Sequence, residues 1–305
     1  TGLHFSIAIN YGGRDELVRA TRKIAEKVAA VVIGAADVAA TTIACGADEA
    51  ITVDAAEYNT EAYAAILAEL VKKYAPEMLF VGATANGKDL GARVAATLKA
   101  GCVTDVIAVK EADGKVVLTQ PLYGGSIYSD SVVEGFAIAI VRGGAFKKVD
   151  EPDTAKEGAI IAETVVAPEL RAKIVDSVLE ISESVDLEGA DIIVAGGRGV
   201  GTKENYEMVK ELAGLLGGVV GATRPVIEEG WISRAHQVGQ SGKIVAPKLY
   251  IAFGISGAAQ HLSGITGSDY IVAVNKDEEA PIFEIANIAI VGNCIDALQI
   301  MIDEV

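Results

Sequence analysis

The sequence is poor in several residue types that mark particular protein classes. Aromatic residues make up 5% of the 305-residue chain, and its three cysteines, Cys45, Cys102 and Cys294, form no C-x-x-C pair. This spacing predicts neither a disulfide framework nor a metal site, and reduced thiols favour a cytoplasmic location. An organelle matrix stays open as an alternative, because a presequence removed before Thr1 would leave no trace.

Positive charge is also scarce. The chain has 26 Lys and Arg against 42 Asp and Glu, a net charge of −16, and the basic residues are scattered. Nucleic acid is therefore not an expected partner, because binding to its phosphates needs clustered positive charge. No apolar run approaches the ~18 residues that span a bilayer, so membrane insertion is not expected either.

What the sequence has in quantity is small and branched apolar residues. Hydrophobic residues reach 51%, mostly Ala, Val and Ile, which suits helices packed on parallel strands. The length fits two domains of ~100–200 residues. We predict an α/β protein with an N-terminal mixed-sheet α/β domain at 1–175, followed by a doubly wound, Rossmann-like parallel-sheet domain at 176–305. The polar stretches on either side of Asp176 motivate that boundary.

In the first half, strand-like runs alternate with helical periodicity. Helices are predicted over Asp15–Lys27, over Thr60–Tyr74 with Asn59 as N-cap, and over Asp89–Lys99. Four β-rich runs follow, VTDVIAVK, KVVLTQPLY, SIYSDSVV and FAIAIV. The turns ADGK and YGGS between them indicate hairpins rather than crossovers.

In the second half, five apolar strands recur, IIVAGG, GVVGAT, LYIAFG, YIVAVN and IAIVGN. All five end in Gly, Thr or Asn, which places small residues with accessible backbone at the carboxyl edge of the sheet. Open α/β sheets bind their ligands at that edge. A ligand site is therefore predicted there.

Two glycine-rich loops resemble phosphate-binding motifs and depart from them at one position each. GATANGKD matches the start of a P-loop, but Asp89 replaces the Ser or Thr that ligates Mg²⁺, so an N-cap at Asp89 is favoured over an ATPase. GGRGVG places Thr202 where a dinucleotide fingerprint has its last Gly. Arg198 in this loop is either a pyrophosphate contact or a solvated side chain of an ordinary tight turn.

Two further loops flank strand LYIAFG. In FGISGAAQHL, Ser256, Gly257 and Ala258 are predicted to begin a helix whose free N–H groups bind a phosphate or a ribityl oxygen. His261, one turn on, is either functional or an ordinary core or surface histidine. QVGQSGK has no apolar periodicity, so its amides and the Ser241 hydroxyl are free for a ligand. Lys243 is interpreted as a solvated charge or a partner contact.

Taken in order, GGRG, GATR, QVGQSGK, LYIAFGISGAAQH and IVAVNKDEEAPIF resemble the FAD-binding domain of the α subunit of electron-transfer flavoproteins. The resemblance covers Gly196 to Asn293, and VGATANGKDLGARVAA extends it more loosely into the first domain. It implies an FAD-containing carrier of single electrons, part of an oxidoreductase system without a substrate reaction or catalytic residues of its own.

The resemblance also implies which residues contact FAD. Arg224 would lie over the flavin ring, and Ser241 would form a hydrogen bond with flavin N5. His261 would supply a hydrogen-bond donor or a proton-coupled charge at flavin O2, and Arg198 would contact the cofactor. The full implied set is Gly197, Arg198, Gly199, Thr223, Arg224, Gln237, Val238, Gly239, Gln240, Ser241, Gly254, Ile255, Ser256, Gly257, Ala258, Ala259, Gln260, His261, Asn275, Asp277, Asn293 and Cys294. Asn275, Asn293 and Cys294 belong to the adenosine end. Asn293 stands where the family has Asp and Thr223 where it more often has Ser, so contacts at those positions are expected to differ in detail.

A heterodimer is the assembly that the resemblance implies. A β subunit completes it and holds AMP, or a second FAD in the bifurcating form, while flavin dehydrogenases such as acyl-CoA dehydrogenases exchange electrons with the FAD domain, which swings as a unit. The leading hypothesis is the ordinary electron carrier. The alternatives are the α subunit of an NADH-dependent bifurcating complex and a nucleotide-binding regulatory protein without redox function.

Overall fold

The computed structural model describes residues 3–8, 17–18, 21, 24–34, 36–55, 57–125, 127–146, 152–165, 169–171 and 185–305. The chain forms two compact units, Thr1–Ser177 and Val178–Val305. The domain boundary predicted near Asp176 lies outside the described residues. Within the residues described, no helix is both long enough and apolar enough to cross a membrane.

The first unit contains a seven-stranded parallel sheet and a separate three-stranded antiparallel sheet. Its strands are β1 (Leu3–Ala8), β2 (Lys27–Ile33), β3 (Glu49–Val53), β4 (Met78–Gly82), β5 (Gly101–Val106), β6 (Ala108–Ala112), β7 (Lys115–Leu122), β8 (Ile127–Val132), β9 (Ala137–Val141) and β10 (Ala159–Glu163). The large sheet has the order β10-β3-β2-β1-β4-β9-β5, and the small one β6-β7-β8. The expected mixture of parallel and antiparallel strands is present, divided between two sheets.

The helices of this unit include α1 (Ala39–Ala44), α2 (Thr60–Tyr74) and α3 (Ala85–Leu98). Asn59 caps α2 as predicted, because its side chain accepts from the N–H groups of Glu61 and Ala62 at 2.9 and 3.2 Å. The predicted start of α3 at Asp89 is wrong. Thr84 caps that helix by accepting from the Gly87 N–H at 2.9 Å, so GATANGKD is a helix start.

Two other predictions for this unit are corrected. The helix predicted over Asp15–Lys27 ends earlier, because Lys27 begins β2, whose buried residues pair with β1. FAIAIV is not part of a hairpin: β9 lies between β4 and β5 and runs parallel to both. All five residues of β9 are buried, as expected for an inner strand of a parallel sheet. The hairpins that join β6, β7 and β8 are confirmed.

The second unit is the predicted doubly wound parallel sheet. Its strands are β11 (Ile192–Gly196), β12 (Val219–Ala222), β13 (Leu249–Phe253), β14 (Tyr270–Asn275) and β15 (Ile288–Val291), and its helices are α4 (Lys203–Leu215), α5 (Arg224–Glu228), α6 (Ala259–Leu262) and α7 (Cys294–Glu304). The strand order β12-β11-β13-β14-β15 reverses between β11 and β13. Such a switch point opens a crevice at the carboxyl ends of the two strands.

Each face of this sheet carries its own core. One face packs against α4 and α7 through buried residues that include Val194, Leu212, Phe253 and Leu298. The other core includes Ala195, Val238, Tyr250 and Ile271. With both faces covered, the strands are apolar along almost their whole length, and polar residues collect at the strand ends.

Candidate cofactor site

A cavity of about 1040 Å³ lies at the carboxyl edge of the second sheet, around the switch point. This volume is at the upper end of the ~300–1,000 Å³ range of small-molecule sites, so it suits a large cofactor. The cavity is lined by Gly197, Arg198, Gly199, Thr223, Arg224, Pro225, Gln237, Val238, Gly239, Gln240, Ser241, Gly254, Ile255, Ser256, Gly257, Ala258, Gln260, His261, Asn275, Lys276 and Asp277.

The lining differs from the set predicted from sequence at five positions. Ala259, Asn293 and Cys294 do not line it, and Pro225 and Lys276 do. Pro225 and Lys276 each follow directly on a predicted residue, and this adjacency is the one sequence signal that indicates them. That the lining residues bind a cofactor stays a prediction.

Asn293 and Cys294 make hydrogen bonds to protein atoms near the cavity. Asn293 caps α7 by accepting from the Ile295 N–H at 3.0 Å. Cys294 is buried, and its thiol lies 3.3 Å from the Gly199 carbonyl oxygen. The same residues that the resemblance places at the adenosine end are therefore engaged with protein atoms.

Two glycine loops meet at the floor of the cavity with no space for side chains. The N–H groups of Gly197 and Gly199 donate to Phe253 and Gly254 carbonyl oxygens at 2.9 and 3.0 Å. A Cβ at Gly197 would lie 2.3 Å from the Gly254 oxygen, and one at Gly254, where φ is +61°, 2.6 Å from the Gly199 carbonyl carbon. The loops thus form a backbone cradle that a ligand can approach closely.

Thr202, the departure from the dinucleotide fingerprint, has a structural role. Its hydroxyl accepts from the Asn205 N–H at 3.2 Å and so caps α4.

Because the cap satisfies an otherwise unpaired N–H group, we expect Thr202→Ala to lower the unfolding free energy by ~1 kcal/mol and Thr202→Gly by only a few tenths. Urea unfolding of the two variants tests this. Loss of cofactor from a fully folded Thr202→Gly protein would instead indicate a ligand contact.

The residues that follow β12 form another wall of the cavity. Thr223 is buried, and its N–H donates to the Gly196 carbonyl oxygen at 3.2 Å, which ties this wall to β11. Arg224 follows at the exposed start of α5, where its Nε donates to Glu228 at 2.7 Å. The guanidinium is therefore at the rim of the cavity, fully charged and only partly neutralised.

The loop after Gln237 is ordered by its own hydrogen bonds. The buried Gln237 side chain donates from Nε2 to the Ser241 hydroxyl oxygen at 2.8 Å, which leaves the hydroxyl hydrogen available to a ligand. Lys243 is not simply solvated: its ammonium group is half-buried and donates to the Val185 carbonyl oxygen at 2.5 Å. Lys243 therefore links this loop to the backbone at Val185.

His261 in α6 lines the cavity from a buried position. Nδ1 lies 3.2 Å from the Val238 carbonyl oxygen, and Nε2 lies 3.1 Å from the Tyr250 hydroxyl oxygen. Burial lowers the pKa of His261 to about 4, although the hydrogen bond to Val238 opposes this shift. At neutral pH the imidazole is therefore uncharged.

The cavity is locally positive in an acidic chain. Arg198, Arg224 and Lys276 line it against a single carboxylate, Asp277, while the whole chain carries −16. At the far end, Asn275 donates from Nδ2 to the Ile255 carbonyl oxygen at 2.9 Å and positions the loop that follows β14. Positive charge beside a backbone cradle suits an anionic, phosphate-bearing cofactor.

Comparisons with known proteins agree with this description. Residues 186–266 match the profile of the electron transfer flavoprotein FAD-binding domain, and residues 14–168 match that of the electron transfer flavoprotein domain. The electron transfer flavoprotein subunit alpha of Thermoanaerobacterium thermosaccharolyticum is 40% identical over 304 residues, covering 95% of this chain and 92% of that protein. The corresponding subunit of Clostridium acetobutylicum is 43% identical over 260 residues (81% and 77%). Protein FixB of Clostridium saccharobutylicum is 42% identical over 264 residues (84% and 79%).

These matches span both units and most of the length of each relative. The glycine cradle and the positive lining fit the flavin cofactor that the matched domain implies. The chain therefore belongs to the family of electron transfer flavoprotein α subunits, electron carriers that bind a flavin and function with a β subunit.

Proposed function

We propose that the cavity binds FAD and that the chain, in a heterodimer with its β subunit, carries single electrons between dehydrogenases, such as acyl-CoA dehydrogenases, and a second redox partner. The observation that carries the proposal is the single cavity in which the glycine cradle, the Gln237 to Ser241 loop and Arg224 are brought together. Its volume and excess of positive charge suit a dinucleotide better than a small metabolite.

The residues divide by chemistry along the cavity. Gly197, Gly199 and Gly254 have no side chains and would leave space for the pyrophosphate, which Arg198 would neutralise and Ser256 and Gly257 would bind. Val238 to Ser241 would face the isoalloxazine, and Asn275 with Lys276 would lie towards the adenosine. When bound, FAD supplies a group that takes up and releases electrons one at a time.

The chain's own side chains set the electrostatics around the ring. Arg224 provides a permanent positive charge that favours any gain of negative charge in the cavity. Ser241 offers a hydroxyl hydrogen, because its oxygen already accepts from Gln237. His261 is neutral, so it contributes no charge of its own at neutral pH.

The two units have different roles in this proposal. The FAD-binding domain at 176–305 carries the electrons, and the N-terminal domain at 1–175 contacts the β subunit. The nucleotide in the β subunit, AMP or a second FAD, distinguishes an ordinary carrier from a bifurcating complex. A cytoplasmic location stays a prediction from the cysteine pattern.

The experiment is to co-express the chain with its β subunit, purify the heterodimer and quantify the extracted nucleotides. One FAD with one AMP per heterodimer supports the ordinary carrier. Two FAD, with NADH-dependent flavin reduction, support the bifurcating alternative. A folded heterodimer without flavin contradicts the proposal and favours a regulatory nucleotide-binding protein.

A further inference from the structure

Backbone hydrogen bonds close the cavity loop that runs from Gln237 to Lys243. The Lys243 N–H donates to the Gln237 carbonyl oxygen at 2.8 Å, and the Gly239 N–H donates to the Lys243 carbonyl oxygen at 3.0 Å. The Gly242 N–H donates to the Gly239 carbonyl oxygen at 2.9 Å, and a Cβ at Gly242 would lie 2.3 Å from the Gln237 oxygen. The backbone of Ser241, inside this loop, is therefore held close to Gln237.

Gln237 is held in place from its other side as well. It is 5% exposed, its N–H donates to the Arg234 carbonyl oxygen at 3.1 Å, and it pairs with Ala222 at the end of β12. From this position Nε2 of Gln237 donates to the Ser241 hydroxyl oxygen at 2.8 Å. A buried amide whose backbone is bonded on both sides has little freedom to turn away, so Ser241 meets a fixed donor.

The surroundings of the Gln237 amide favour this direction of the hydrogen bond. An amide placed the other way round would accept the Ser241 hydrogen through Oε1. Both residues also line a smaller cavity of about 260 Å³ with Arg224 and Arg234, whose guanidinium groups only donate hydrogen bonds. The one carboxylate among the described residues of that lining, Glu228, is paired with Arg224. Donors therefore predominate there, which suits Oε1 and leaves Nε2 for Ser241.

We propose that Gln237 is a positioning residue that keeps the Ser241 hydroxyl as a hydrogen-bond donor directed into the large cavity. The inference deepens the proposed function and rests on it for the identity of the ligand. Because Nε2 occupies one acceptor position of the hydroxyl oxygen, the hydroxyl hydrogen turns away from the amide. The ligand atom that faces Ser241 is then one without hydrogen, such as a carbonyl oxygen or an unprotonated nitrogen of the oxidised isoalloxazine.

The hydrogen bond from Gln237 also prepares Ser241 before a ligand arrives. Ser241 is exposed at the cavity, and its hydroxyl would otherwise turn among its staggered positions. A donor that is already fixed loses less entropy when it binds. Gln237 should therefore strengthen the binding of oxidised FAD through Ser241.

NMR of the side-chain amide tests the hydrogen bond directly. In a heterodimer in which only this chain carries ¹⁵N-labelled glutamine, the loss of one pair of side-chain signals in Gln237→Met assigns Gln237. We expect one of its two amide hydrogens to be shifted downfield and to exchange slowly with solvent. Ser241→Ala removes the acceptor, so the signal of that hydrogen should move upfield and its exchange should become faster.

Ser268→Ala is the matched control for the loss of a serine hydroxyl. The Ser268 hydroxyl donates to the Ile265 carbonyl oxygen at 2.7 Å, and Ser268 does not line the cavity. The Gln237 signals should stay in place in this variant. If Gln237→Met does not fold, the amide pair that moves in Ser241→Ala and stays in Ser268→Ala is that of Gln237. Absence of any such pair would overturn the proposal.

A series of double substitutions tests the effect on the cofactor. Titration of the flavin-depleted heterodimer with FAD should show that Gln237→Met raises the dissociation constant roughly 2–10-fold, the value of one hydrogen bond. In a Ser241→Ala background the same substitution should raise it by less than about 2-fold, because the hydroxyl is already missing. A Ser241→Thr background keeps a hydroxyl and should retain the full effect. An equal loss in all three backgrounds would overturn the proposal.

Two further comparisons complete the experiment. Gln299→Met should leave the dissociation constant unchanged, because the Gln299 amide donates to Asp303 on the surface of α7, outside the cavity lining. Spectra recorded without flavin separate this proposal from the proposed function, since Gln237 and Ser241 bond to each other. A heterodimer that keeps this hydrogen bond and binds no FAD contradicts the proposed function only, whereas unchanged FAD binding in Gln237→Met contradicts the positioning role only.

Discussion

Replacing Gly254 with alanine is expected to lower the unfolding free energy by about 3 kcal/mol and to prevent flavin binding. The backbone at Gly254 has a φ of +61°, and a Cβ there would lie 2.6 Å from the carbonyl carbon of Gly199. A methyl group therefore forces a strained backbone and separates the two loops of the cradle. Urea unfolding and the flavin content of the purified heterodimer measure the two effects.

Gly214→Ala is the matched control for this substitution. Gly214 lies in α4, and a Cβ there has no neighbour within 4 Å. Alanine is better than glycine in a helix by up to ~1 kcal/mol, so this variant should be as stable as the unsubstituted protein or more so, with full flavin content. Normal flavin binding by Gly254→Ala would mean that the cradle does not hold the cofactor.

Arg224→Ala is expected to make the first reduction of the bound flavin less favourable by ~1–2 kcal/mol, which is roughly 40–90 mV for one electron. An ideal unit charge at 4 Å under an effective dielectric near 20 contributes ~4 kcal/mol. The Arg224 side chain is 68% exposed and paired with Glu228, so solvent and the carboxylate reduce that value. Spectroelectrochemistry of the heterodimer measures the potential.

Variants of the neighbouring charges test the direction of this shift in the reduction potential. Glu228→Gln removes the carboxylate that partly neutralises Arg224 and should shift the potential in the opposite direction, upwards. Lys248→Ala removes an exposed charge that pairs with Asp191 outside the cavity lining, and should leave the potential unchanged. Equal shifts in Arg224→Ala and Lys248→Ala would show that only net charge matters.

The position of the site could be predicted from residue patterns because it depends on local features. Strands that end in Gly, Thr or Asn and are followed by glycine loops indicate the carboxyl edge, and Gly197, Gly254 and Ser256 all line the cavity. The resemblance to a family then ordered these loops along one cofactor. Neither the residue patterns nor the family resemblance shows how loops that are distant in sequence make contact through their backbones.

The predictions that failed depend on long-range pairing. FAIAIV has the apolar pattern of either a hairpin strand or an inner parallel strand, and only its partners β4 and β5 decide between them. Thr84 and Asp89 are both good capping residues, and the choice between them follows from where β4 ends. That Asn293 caps α7 was likewise not predicted, because the start of that helix follows from where β15 ends.

Hydrogen-bond direction inside the site is also invisible in the sequence. Tyr250 occupies an inward position in the strand LYIAF, where its ring is indistinguishable from an ordinary core residue. Its hydroxyl oxygen lies 3.1 Å from Nε2 of His261, a contact between β13 and α6. A contact of this kind becomes apparent only in the three-dimensional structure.

The most direct test of the central claim is a stepwise reductive titration of the FAD-loaded heterodimer followed by electron paramagnetic resonance. If the cavity holds a one-electron carrier, an organic radical signal should rise as the first electron per flavin is added and fall with the second. The signal should be weaker in Arg224→Ala and absent from Gly254→Ala. Reduction by two electrons at once, with no radical signal in the unsubstituted protein, would contradict the account.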